Sequence, residues 1–135
     1  MELLKAYALQ FVGVPYMWGG SNPITGYDCS GLVQELLASC GIDPPGDQTA
    51  QGLYDHFSIV GTREKGCGAL AFYGKEKAIV HVGMMLDDYR IIEAGGGGSK
   101  TTSLQAAETQ NAYVRIRHLH ARLDLFAVIM PKYQV

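Results

Sequence analysis

Apolar residues in the first sixty positions recur at helical spacing, whereas from Cys67 onward they fall into short, strand-like runs. Helices first and strands afterwards do not give the alternating βαβ units of a parallel sheet. The expected fold class is therefore α+β, with helices packed against one antiparallel sheet. Residues 2–12 read as a helix ending at Gly13 and Pro15, and residues 29–39 as a second closed by Gly41 and Pro44-Pro45. A short third helix is expected near 48–56, capped by Asp47 or Thr49. Residues 16–28, rich in Gly, Asn and Pro, read as loop. Strands are expected over Ala69–Tyr73, Ala78–Leu86, Tyr89–Ala94, Ala112–Arg117 and Leu125–Met130, with a helix over Ser103–Gln110 among them.

A chain of 135 residues supports one domain with one core, so residues 1–135 are read as a single unit. The net charge of −2, without a basic run or Lys/Arg–aromatic interleaving, argues against nucleic acid as a partner. No apolar stretch reaches membrane-spanning length. The N-terminus has an early acid, Glu2, and lacks the basic start and apolar stretch of a signal peptide. There is no Cys-x-x-Cys and the His118-x-His120 pair stands alone, so neither metal nor cofactor is expected. The expected state is a monomer.

The chemistry concentrates at Tyr27-Asp28-Cys29-Ser30-Gly31-Leu32-Val33. Asp28 is a helix-capping residue, and Leu32, Val33, Leu36 and Leu37 give the following helix a buried face. Cys29 thus stands at a helix N-terminus, where unpaired N–H groups and the helix dipole favour negative charge. The thiolate is the nucleophile, so Cys29 is the candidate catalytic nucleophile. The competing reading is a small buried hydrophobe. Of the other two cysteines, Cys40 and Cys67 are read as reduced thiols.

His81 strengthens the catalytic reading. It interrupts the β-branched run Ala78–Leu86, where a buried imidazole needs a hydrogen-bonding partner. That partner is either backbone, as for a core histidine, or a nucleophile for which His81 is the general base.

Three pieces in order, Tyr16-Met17-Trp18-Gly19-Gly20, Asp28-Cys29-Ser30-Gly31-Leu32-Val33 and His81-Val82-Gly83, resemble the NlpC-type cell-wall cysteine peptidases of the papain-like superfamily. The resemblance implies a papain-like fold, N-terminal helices against a central antiparallel sheet of about five strands. It also implies hydrolysis of a stem-peptide amide bond in peptidoglycan, commonly between D-glutamate and a diamino acid. By position, Cys29 looks like the nucleophile and His81 like the base. Tyr16 looks like the aromatic lining the site, and Asp28 and Ser30 like a polar pair that in some members binds a free amine. Trp18 reads as core or groove wall. A phage lytic enzyme, a delivered toxin and a wall-recycling enzyme all fit a catalytic domain without an export signal. Two other functions compete: an amidase or acyltransferase using the same pair on a lipid or amide substrate, and a binding module whose catalysis has decayed. An unpaired His81 far from Cys29 is what the last requires.

The third member of the triad is where the chain departs from the family's usual His or amide. Twelve residues beyond His81 lies Glu93, whose carboxylate is suited to orient the imidazole. Strand parity tests this assignment. A strict two-residue turn at Asp87-Asp88 would set His81 opposite Ala94 and send Glu93 to the other face. Sharing a face requires a loop of odd length or a bulge, and a bulge is the prediction. A second departure is Ala69, where members often carry Asp; a local structural change is expected there, not lost activity. The run Gly95-Gly96-Gly97-Gly98 reads either as a mobile rim over the groove or as a slack loop.

Overall fold

The computed structural model describes residues 1–133. Four helices, α1 (Glu2–Leu9), α2 (Cys29–Ser39), α3 (Ala50–Val60) and α4 (Leu104–Gln110), accompany β1 (Ser21–Asn22), β2 (Gly26–Tyr27), β3 (Leu70–Lys75), β4 (Ala78–Met85), β5 (Arg90–Gly95), β6 (Tyr113–His118) and β7 (Leu125–Ile129). The last five form one antiparallel sheet in the order β6-β5-β4-β3-β7. The α+β expectation holds, with two local corrections. The 16–28 segment is not all loop, because β1 and β2 pair within it. Helix α1 stops at Leu9, earlier than the apolar spacing suggested.

Helix α2 is placed by its sequence at both levels. Asp28 caps it, its carboxylate accepting from the Gly31 N–H at 2.7 Å. Leu32, Val33, Leu36 and Leu37 are all completely buried. They join Leu53 and Phe57 of α3 and Phe72, Val82, Met84 and Ile92 of the sheet in the main core. The other sheet face carries a smaller cluster built on Ala71, Tyr73, Met85, Ile91 and Leu119. Ala69, where family members often carry a carboxylate, is buried in that smaller cluster.

Gly31 is required by close packing: a Cβ there would run into the Gly20 carbonyl oxygen and come within 2.8 Å of the Asp28 carboxylate. Alanine has the better helix propensity by about 1 kcal/mol, but forcing backbone apart in a packed region costs about 1–3 kcal/mol. Gly31→Ala is therefore expected to destabilise the domain, read as a lower urea midpoint at unchanged m-value. A raised midpoint would mean that the Gly19-Gly20 loop yields freely.

A β-bulge sets the direction of His81. Tyr73 pairs with His81 but Gly74 pairs with Ile79, leaving Val80 as the extra residue. Ile79 therefore turns into the main core, whereas His81 packs against Tyr73 on the other face, ring centroids 5.5 Å apart. Without the bulge, residues 79 and 81 would share a face.

Candidate active site

The β4–β5 turn decides where Glu93 points. Met84 pairs with Ile92 and Met85 with Ile91, and the Leu86 N–H donates to the Arg90 carbonyl at 2.8 Å. Three residues, Asp87, Asp88 and Tyr89, therefore form the loop, so an odd loop length takes the place of the expected bulge. Asp87 closes it by accepting from the Tyr89 and Arg90 amides and from the Arg90 guanidinium. With this register His81 and Glu93 share a face, and His81 Nε2–H donates to Glu93 Oε1 at 2.9 Å. Both are nearly inaccessible, 7% and 2% exposed.

The two groups hold each other charged. Burial pulls the His81 pKa down, but the Cys29 and Glu93 side chains outweigh it and lift the value to about 9. Burial alone would raise Glu93; hydrogen bonds and charge from His81 and Arg115 bring it instead to about 2. Arg115 Nε donates to Glu93 Oε2 at 3.0 Å and Arg117 Nη1 to the same oxygen at 3.4 Å. One carboxylate thus faces three cationic groups.

These shifts fix the sign of the pH dependence of stability. Glu93, with its folded value depressed, contributes above its ordinary carboxyl range, and that contribution is lost as pH falls towards about 2. His81, with its folded value raised, contributes fully below its ordinary value of 6.5 and loses this as pH rises through about 9. The melting-temperature difference between wild type and His81→Asn is accordingly expected to shrink as pH is raised from 6.5 to beyond 9. A difference that is flat across this range would mean that His81 is not held protonated by its neighbours.

His81 Nε2 is occupied by Glu93, which leaves Nδ1 for the thiol. Cys29, at the first position of α2, is half-buried and lines one cavity of about 150 Å³ with His81, Glu93 and Tyr16. The Asp28 carboxylate is taken up by capping: besides Gly31 it accepts from the Gly19 N–H at 3.1 Å and from Ser30 Oγ at 3.4 Å. Burial raises the Asp28 pKa against these bonds. Tyr16 is 5% exposed, and burial, then the Cys29 and Asp28 charges, push its phenol upward, so it remains an O–H donor. Its backbone is fixed by donation to the Ala112 carbonyl, while the Trp18 N–H donates to the Thr101 carbonyl. Trp18 is 54% exposed and walls the cleft, so it is not core.

The glycine run is packed, not slack. A Cβ at Gly97 would collide with the Tyr16 ring, and the Gly98 N–H donates to the buried Thr101 hydroxyl at 3.0 Å. Cys40 and Cys67 are free thiols away from this cavity. Among the described residues no cluster of His, Cys, Asp and Glu suits a metal ion. No helix among the described residues is long and apolar enough to cross a membrane.

Sequence reasoning missed Arg115, Arg117 and Arg122, all of which line the cavity. The first two carry a visible signal, like charges at alternate positions of a strand. What makes them part of the site is the pairing of Glu93 with Arg115, across a connection that includes α4.

The model of the NlpC/P60 family matches residues 13–118. The chain belongs to the NlpC/P60 family. The bifunctional muramidase/DL-endopeptidase CwlT of Bacillus subtilis (strain 168) is 39% identical to it over 108 residues, 78% of this chain and 32% of CwlT. The probable endopeptidase p60 of Listeria welshimeri is 32% identical over 104 residues, 77% of this chain and 19% of p60. A solved structure from Staphylococcus aureus, described as similar to a lipoprotein of the NLP/P60 family, aligns with a TM-score of 0.73 at 25% identity, covering 98% of this chain and 41% of that one. The chain thus spans about a third or less of the two curated relatives.

Proposed function

We propose that this chain is a single catalytic domain, acting as a monomer, that hydrolyses a stem-peptide amide bond of peptidoglycan through an acyl-enzyme at Cys29. The observation that carries the reading is the His81–Glu93 pair at 2.9 Å in the cavity that Cys29 lines. A decayed binding module would not be expected to keep it. CwlT, named a DL-endopeptidase, supports a bond between a D- and an L-configured centre, as between D-glutamate and a diamino acid.

The geometry supports the following roles. The Cys29 thiolate attacks the scissile carbonyl carbon, and the carbonyl π electrons move onto oxygen. The Cys29 N–H, at a helix start without an intrahelical acceptor, and the Tyr16 hydroxyl are the donors for that oxyanion. His81, carrying the proton, gives it to the departing amine as the C–N bond breaks, leaving a thioester. Water then attacks with His81 as base, releasing the acid and restoring the thiolate–imidazolium pair. Glu93 orients His81 and stabilises its charge without itself being protonated. Asp28 and Ser30 border the cleft beyond Cys29, with Trp18 as its wall.

The test is digestion of purified peptidoglycan sacculi by wild type and Cys29→Ala, with soluble products weighed by mass spectrometry. Stem cleavage by wild type alone supports the reading, and the product masses name the bond. Sacculi and isolated muropeptides left intact by both proteins would overturn it.

A further inference from the structure

The cleft is electrically polarised about its reactive centre. Tyr16, Trp18, Cys29 and Val80 line two cavities that adjoin there. The larger, about 320 Å³, carries Asp28 and Asp47 and no Lys or Arg. The smaller, about 150 Å³, carries Arg115, Arg117 and Arg122, with Glu93 its one acidic residue.

Glu93 does not use up this positive charge. It faces His81, Arg115 and Arg117; with the Cys29 thiolate balancing a protonated His81, one carboxylate still balances only one of the two arginines. Arg122 is paired separately with Asp124, at 2.8 Å, and lies over the Tyr73 ring, 5.5 Å from its centroid. The side chains of Arg115, Arg117 and Arg122 are about one-third exposed, at 32%, 33% and 35%. Each has five N–H donors, and its side-chain bonds to Glu93 or Asp124 engage one or two of them. A structural role as counter-ions to Glu93 accounts for one arginine. It leaves one guanidinium charge unbalanced in the lining of the cavity.

Peptide polarity says which part of a substrate belongs there. The terminal amine of a peptide lies on the acyl side of the scissile bond and its terminal carboxylate on the side of the departing amine; the α-carboxylate of a γ-linked D-glutamate lies on the acyl side and is common to both probes below. Laying the chain with its cation towards Asp28 and Asp47 puts its anion among the arginines. We infer that Arg115, Arg117 and Arg122 form a carboxylate-recognising subsite for the leaving-group half of the substrate, so that the enzyme selects peptides with a free carboxylate beyond the cleaved bond. This rests on the endopeptidase reading for its orientation, but the binding it implies is measurable without cleavage.

The probes are L-Ala-γ-D-Glu-L-Lys with a free C-terminal carboxylate and the same peptide as its C-terminal carboxamide. Affinities for both are measured by calorimetry on Cys29→Ala, and kcat/KM for both on the active enzyme. A charge-assisted contact predicts that the carboxylate form binds about tenfold or more tighter, with the preference carried mainly by KM. Arg117→Gln, whose side chain is the more loosely tied to Glu93 of the two that bond it, is expected to remove most of that ratio; Arg117→Lys restores part of it. Thermal melts verify that the variants fold, and Arg122→Gln replaces Arg117→Gln if the latter does not. Equal affinity for the two peptides in the Cys29→Ala protein, or a ratio unchanged by the arginine variants, would overturn the inference. Failure of wild type to cut either peptide or sacculi would instead sink the endopeptidase reading, with the calorimetric ratio still deciding the subsite.

Discussion

Cys29→Ala is expected to lower stem-peptide cleavage by about four to six orders of magnitude, the scale on which removing a covalent nucleophile acts. The sulfur is the only group in the cavity able to form the acyl-enzyme, since Tyr16 is held as a phenol by burial and His81 is held protonated. The fold should survive. Asp28 caps α2 through the Gly31 N–H, a bond that Cys29 does not enter, and alanine is the better helix former. Substrate should still bind, because the cleft walls are untouched. The diagnostic readout lies on His81. Cys29 is one of the two groups that raise its pKa to about 9, so an NMR titration of the Cys29→Ala protein should show His81 losing its proton at lower pH than in wild type. Lost cleavage with an unmoved His81 titration would mean that the two side chains do not share a proton and that the mechanism needs another base.

The second large effect belongs to Glu93→Gln. Glutamine keeps the shape and an acceptor for the His81 N–H but removes the charge that faces His81, Arg115 and Arg117. Activity is expected to fall about 10²–10⁴-fold, as when a triad carboxylate is made neutral. The alkaline limb of the pH–rate profile should move down as well. Wild-type His81 keeps its proton up to about 9, and without the carboxylate the imidazolium is lost at lower pH. Stability should fall by about 1–3 kcal/mol, less than for a fully buried pair because Arg115 and Arg117 are one-third exposed. An unchanged alkaline limb would show that Glu93 neutralises the arginines without acting on His81.

Much of the fold and the site was legible because it rests on local chemistry. Asp28 before an apolar-periodic run specifies a capped helix, and the capping bond forms within three residues. Thr49 and Ser103 cap α3 and α4 in the same way. The strand pattern around His81 marked it as a buried imidazole in need of a partner, and parity limited the β4–β5 turn to an odd length or a bulge if Glu93 were that partner. The third helix runs to Val60, beyond the expected 56; Phe57 is buried in the core one turn after Leu53, whereas Ile59 and Val60 beyond it are exposed.

The sequence by itself determined which residues are chemically equipped: a thiol at a helix start, an imidazole on a strand, a carboxylate twelve positions on. The first two depend on periodicity, capping and side-chain type, readable within a few residues, and the carboxylate was singled out by the spacing that the family resemblance implies. Only the tertiary structure decided how they meet. The Val80 bulge turns His81 away from Ile79, and the three-residue turn brings Glu93 to its side. The pairing of β5 with β6 then delivers Arg115 and Arg117 to a carboxylate more than twenty residues earlier in the chain. Register between distant strands is set by the sum of packing on both sheet faces, so no local pattern records it. The same holds for Gly97 against Tyr16 and Gly31 against Gly20, where a bare backbone is needed because a distant segment lies in contact.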